Sequence, residues 1–140
     1  MSDATRMLDT DIVSYLIKGR HPSVTRQFLE RGFEGICISA CTMSELLYGI
    51  AARSAKDRLR EGIVEFLDGV NVIPWDKSAA AIHSRIRYQL DRSGQTIGVM
   101  DQMIAAHAIS LGLTLVTNNV RHHSRLEPEL TVENWVEHTA

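Results

Sequence analysis

The chain has 140 residues, 44% of them apolar and 23% charged; this suits one ordered domain spanning residues 1–140 with a real core, and it excludes a disordered or low-complexity segment. Fifteen Lys and Arg against 17 Asp and Glu leave a net charge of −2, so there is no bulk basic footprint for nucleic acid, and any such binding has to come from local arrangement. No apolar run approaches the ~20 residues of a membrane span, the opening Met1-Ser2-Asp3-Ala4-Thr5-Arg6 lacks a basic-then-apolar signal, and Cys37 and Cys41 match neither a disulfide framework nor a zinc spacing, which leaves them as small core residues in a reducing cytoplasm.

Short strands and helices alternate along the chain. Arg6-Met7-Leu8-Asp9 reads as a first strand ending in an acid, followed by a helix over Ile12–Lys18 that Asp11 is placed to cap. Pro22 opens a helix to about Arg31, and Gly32 and Gly35 break the chain before the compact strand Ile36–Ser39. Met43, Leu46, Leu47 and Ile50 recur at helical spacing over 42–52, and Leu59, Ile63, Phe66 and Leu67 do so over 56–68. Val70–Ile73 is a third strand stopped by Pro74, and 77–92 is a long helix. Met100, Met103, Ile104, His107, Ala108 and Leu111 make one stripe of a helix that Gly112 ends. Leu113–Val116 is a fourth strand and Leu130–Val132 a short fifth. Such alternation predicts an α/β fold with a mostly parallel sheet of four to five strands between helical layers, and ligands outside the carboxyl ends of the strands.

Four chemistry-bearing residues collect at that edge: Asp9, Glu45, Asp101 and Asn119. Each also has a plain structural reading. Asp9 suits a turn, Thr42 with Glu45 three residues on suits a capping box, Asp101 suits a helix dipole, and Asn119 suits a loop. Three carboxylates on one rim repel one another unless a cation lies between them, and all-oxygen donors suit Mg²⁺ or Mn²⁺. Such an ion activates water and neutralises phosphate, which points to metal-assisted phosphodiester hydrolysis.

At these residues the sequence resembles the PIN-domain ribonucleases, specifically the VapC toxins of bacterial toxin–antitoxin pairs. The resemblance runs in order over nearly the whole chain, through Met7-Leu8-Asp9-Thr10-Asp11, Ser44-Glu45-Leu46-Leu47-Tyr48-Gly49, Val99-Met100-Asp101-Gln102 and Leu115-Val116-Thr117-Asn118-Asn119. It implies a three-layer α/β/α PIN-like fold and a Mg²⁺- or Mn²⁺-dependent endoribonuclease that cuts structured RNA such as tRNA. Asp9, Glu45 and Asp101 would be the metal-binding catalytic carboxylates, Asn119 a fourth site residue, and Asp11, Thr42, Thr117 and Asn118 supporting residues. A cognate antitoxin and a homodimer are implied as well, with no membrane. The chain departs from the family pattern at Asp11, often Asn, at Asn119, often Asp, and at His122-His123, where close relatives carry an acidic–aromatic pair.

Among the arginines flanking the rim (Arg85, Arg87, Arg92, Arg121 and Arg125), solvated helix faces explain most, and Arg121, just behind Asn119, is the candidate for RNA phosphate. His107 reads as a hydrogen-bonded core residue, and Trp75 and Trp135 as packing. Two other readings stay open. Asp9-Thr10-Asp11 also looks like the first motif of haloacid-dehalogenase-type phosphohydrolases, with Asp9 as nucleophile, although none of Lys18, Lys56 and Lys77 follows a late strand as that chemistry needs. A catalytically silent PIN-like binding module is the other; three intact carboxylates speak against it.

Overall fold

The computed structural model describes residues 4–137; the first three residues, part of the stretch read as lacking a signal, and the last three lie outside the described residues. Five parallel strands form one sheet in the order β3-β2-β1-β4-β5, with β1 Arg6–Leu8, β2 Ile36–Ser39, β3 Asn71–Ile73, β4 Thr114–Val116 and β5 Val132–Glu133. Register runs Met7 to Cys37 and Leu115, and Leu8 to Val116. Among the described residues no helix is long and apolar enough to cross a membrane.

Strand side chains alternate between two cores, as the period of two requires. Leu8, Ile36, Ile38 and Val116 face a core closed by α1 Thr10–Lys18, α2 Pro22–Arg31, α3 Ala40–Ile50 and α4 Arg58–Gly69. Met7, Cys37 and Leu115 face a second core, closed by α5 Lys77–Arg92 and α6 Val99–Leu111. The result is the expected three-layer α/β/α arrangement. Cys37 and Cys41 are free and buried, and burial pushes the Cys37 thiol up to about 12, as for an inert core residue. Trp135 is buried, while half-buried Trp75 donates its indole N–H to the Met103 carbonyl at 2.9 Å.

Several local expectations need correction. The first helix starts at Thr10, so the cap falls on Asp9, whose carboxylate accepts the Ile12 N–H at 3.0 Å, and not on Asp11, which is exposed. α3 starts at Ala40 with Ser39 as its cap, the Ser39 hydroxyl oxygen accepting the Cys41 N–H at 3.1 Å; Thr42 is therefore inside the first turn and Glu45 in the second, and they form no capping box. α6 is buried around most of its circumference, Ala105 and Ala106 included, while Leu111 of the predicted stripe is 43% exposed. The alanines let neighbours close in from several sides, and a stripe read from large side chains misses that. The fifth strand also lies slightly later than Leu130–Val132, and a short helix, α7 Val120–His123, follows β4.

Candidate active site at the carboxyl ends of the strands

The β1–α1 junction builds the centre of the site. The Asp9 backbone N–H donates to the Val116 carbonyl at 3.0 Å, continuing the sheet one residue past the strand. The same residue then caps α1, so its carboxyl is fixed by two elements and only 5% exposed. Desolvation is the main reason its pKa is pushed up to about 7; Asp11 and Asp101 add to the rise, while hydrogen bonds from the Thr117 hydroxyl and the Ile12 N–H oppose it. Thr117 is fully buried.

Glu45 reaches the same junction through Thr10, whose hydroxyl hydrogen-bonds the Glu45 carboxylate and lies 3.4 Å from the hydroxyl of buried Thr42. Thr10 is the site residue that sequence reasoning missed. The available signal was its position, first in the helix and directly behind Asp9, with a hydroxyl able to turn back to a neighbouring element.

Asp101, half-buried in the first turn of α6, is within electrostatic reach of Asp9. Asn119 follows β4, and its backbone N–H donates to the Thr117 hydroxyl oxygen at 3.0 Å. Asn118 turns elsewhere, its side-chain oxygen accepting from the Asn134 amide at 3.1 Å. Asp9, Glu45, Asp101, Thr42, Thr117 and Asn119 thus belong to one connected rim, while Asp11 flanks it in solvent. Among the described residues no three His, Cys, Asp or Glu side chains close around a common point tightly enough to hold an ion. Mg²⁺ does not demand that, because it keeps several waters and takes one or two carboxylates. A buried acid with its charge raised in cost, beside a second carboxylate, fits such a cation.

The other candidates sort cleanly. Arg85 pairs with Glu129, Arg125 donates to the Thr96 carbonyl at 2.8 Å, and Arg92 stacks over Tyr88 at 5.7 Å, so these arginines serve the surface. Arg121 is exposed beside the rim. His107 is buried, its Nδ1 2.8 Å from the Ser39 hydroxyl, and desolvation lowers its pKa, which keeps the ring neutral in the core. Lys18, Lys56 and Lys77 are all exposed, and none appears in the hydrogen bonding around Asp9.

A parallel sheet between two helical layers, with acids where its strands end, is the arrangement of a PIN domain, and the PIN domain family model matches residues 6–127. A tRNA(fMet)-specific endonuclease VapC of Shigella flexneri is 40% identical over 130 residues, 92% of this chain and 96% of that protein. Among solved structures, DNA-bound VapBC from Salmonella typhimurium superposes with a TM-score of 0.84 at 35% identity, over 94% of this chain and 98% of that one. VapBC2 from Rickettsia felis, bound to a DNA fragment from its promoter, gives 0.83 at 31%, over 93% and 98%. The chain belongs to the PIN-domain family and, within it, to the VapC ribonucleases.

Proposed function

We propose that this chain is the endoribonuclease toxin of a type II toxin–antitoxin pair, that it hydrolyses phosphodiester bonds in structured RNA, with tRNA as the favoured class, and that it needs Mg²⁺ or Mn²⁺. The tRNA assignment rests on the relative from Shigella flexneri, and the antitoxin on the VapBC complexes among the structural neighbours. The observation that carries the metal is the Asp9 carboxyl, buried and raised to about 7 beside Asp11 and Asp101.

Asp9, Asp101 and Glu45 are the residues to hold the ion. When bound, a divalent cation supplies charge for the scissile phosphate and lowers the pKa of a water. The chain's own residues do the rest. The Ile12 N–H and Thr117 hydroxyl orient Asp9, Thr10 orients Glu45, and Asn119 adds an uncharged polar group where a fourth carboxylate would raise Asp9 further. Arg121 suits a phosphate of the RNA by the planar fork of its guanidinium. The small acidic excess of the chain does not oppose this, because part of it belongs to the rim that the cation neutralises.

The test is incubation of purified, antitoxin-free protein with total RNA in Mg²⁺, with and without EDTA, beside Glu45→Gln, with new 5′ ends mapped. Cleavage at discrete sites should vanish with EDTA and in Glu45→Gln, while the thermal melt of the variant stays within a few degrees of wild type, Glu45 having no capping role. Cleavage that ignores the chelator, or full activity of Glu45→Gln, would overturn the metal assignment.

A further inference from the structure

Asn119 holds the N-cap position of α7, yet its side chain makes no capping hydrogen bond. An asparagine there ordinarily turns its amide oxygen onto the first free N–H groups of the helix. Here the amide nitrogen donates instead to His122 Nδ1 at 2.9 Å. The rest of the residue is equally committed: the backbone N–H donates to the Thr117 hydroxyl oxygen at 3.0 Å, and the backbone carbonyl accepts from His123, from Nδ1 at 2.8 Å and from the backbone N–H at 3.2 Å. Among the described residues, the polar atom of Asn119 left without such a commitment is the amide oxygen.

We propose that His122 is a positioning residue that fixes the Asn119 amide with its oxygen turned to the carboxylate rim, as an uncharged acceptor for the O–H of the attacking water. The proposal rests on the endoribonuclease reading above. An amide nitrogen only donates, so this contact takes His122 Nδ1 as its lone-pair side, with the ring proton on Nε2. Because the amide is planar, anchoring the nitrogen sets the direction of the oxygen. The same Thr117 hydroxyl that receives the Asn119 N–H donates to Asp9, so the amide stands one residue's hydrogen bonding away from the buried acid. Turned over, it would offer N–H groups in place of an acceptor.

Three variants test this, with turnover and the NMR signal of the Asn119 side-chain NH₂ (assigned by its loss in Asn119→Asp) read on the same samples. His122→Ala removes the acceptor, His122→Lys offers only donors, and His122→Gln restores an acceptor. Losses from such supporting hydrogen bonds run ~10–100-fold, so Ala and Lys should lower kcat by that order with the KM for RNA unchanged, and Gln should recover most of it. The Asn119 NH₂ pair should be shifted and slow to exchange in wild type, move to ordinary solvent-exposed positions in Ala and stay in Gln. Wild-type kcat in His122→Ala overturns the proposal, and so does a raised KM at constant kcat, which would make His122 an RNA contact. If wild type cleaves no RNA, the endoribonuclease reading fails on its own, and the NH₂ signal still decides the lock: an unmoved pair in His122→Ala overturns it.

Discussion

Asp9 carries two duties whose demands conflict. As helix cap and continuation of the sheet it has to be buried, and burial makes its charge expensive. Its pKa is about 7 in the folded chain against 3.8 for an ordinary aspartate, so between those pH values the folded state holds a proton that the unfolded state has lost. Without a divalent ion, stability therefore falls as pH rises from about 4 to 7, by on the order of 4 kcal/mol from this group. Asp9→Asn keeps an acceptor for the Ile12 N–H and removes the charge. In EDTA at pH 8 it should melt several degrees above wild type by calorimetry, with the gap closing toward pH 4; equal melting at pH 8 would mean that the carboxyl is not desolvated. Thr10 acts on the neighbouring acid. Thr10→Val, equal in shape, should leave the melt and the KM for RNA unchanged while lowering kcat and weakening Mn²⁺ binding by about tenfold, and Thr10→Ser should restore both. At this scale residue type and chain order were enough to bring Asp9, Glu45, Asp101 and Asn119 to one edge of the sheet, where the fold places them. The sequence was silent on Thr10, because a threonine at a helix start is common and its partner, Glu45, is 35 positions away.

The five strands and the first six helices came through in order, with the short α7 unforeseen, and their ends shifted where a cap decides them. The true starts of α1 and α3 are each two residues before the expected ones, because Asp9 and Ser39 are strand-end residues that cap as well. A hydrophobic period locates the apolar face of a helix and says nothing about which of several nearby polar residues caps it. The shift changes function: the capping box would have given Glu45 a structural reason to exist, and the real start of α3 removes it. Ser39 now joins three elements, since its hydroxyl both caps α3 and meets His107 of α6, whose ring also faces the Pro74 carbonyl after β3. Ser39→Ala removes a cap and leaves a buried ring nitrogen unpaired, at a cost of about 2–3 kcal/mol. A urea melt should show that loss in its midpoint with an unchanged slope; a shift under half a kcal/mol would mean that water or a rotated ring replaces the hydroxyl.

At the scale of the whole molecule, α3 joins the site to the outside. Leu46 and Ile50 are buried in the core, and Glu45 turns to the rim through Thr10, but Leu47 is 41% exposed and Tyr48 85% exposed. Tyrosine is a large amphipathic side chain enriched at protein interfaces, and its exposure next to a leucine on one helix makes this end of α3 suited to a protein partner. Helical periodicity assigns Leu47 to the apolar set and cannot say whether the surface that buries it is the chain's own core or another molecule; only the packing of α3 shows that its own core stops short. A homodimer of the kind the family resemblance implies would make its contact here, one turn beyond Glu45, on the same helix as the candidate site. Tyr48→Asp should turn a dimer into a monomer by light scattering at micromolar concentration while the melt of the isolated fold hardly moves, because Tyr48 buries little within one chain. A wild-type protein that is monomeric under the same conditions, or a variant that stays dimeric, would place the contact elsewhere and separate the exposed end of α3 from assembly.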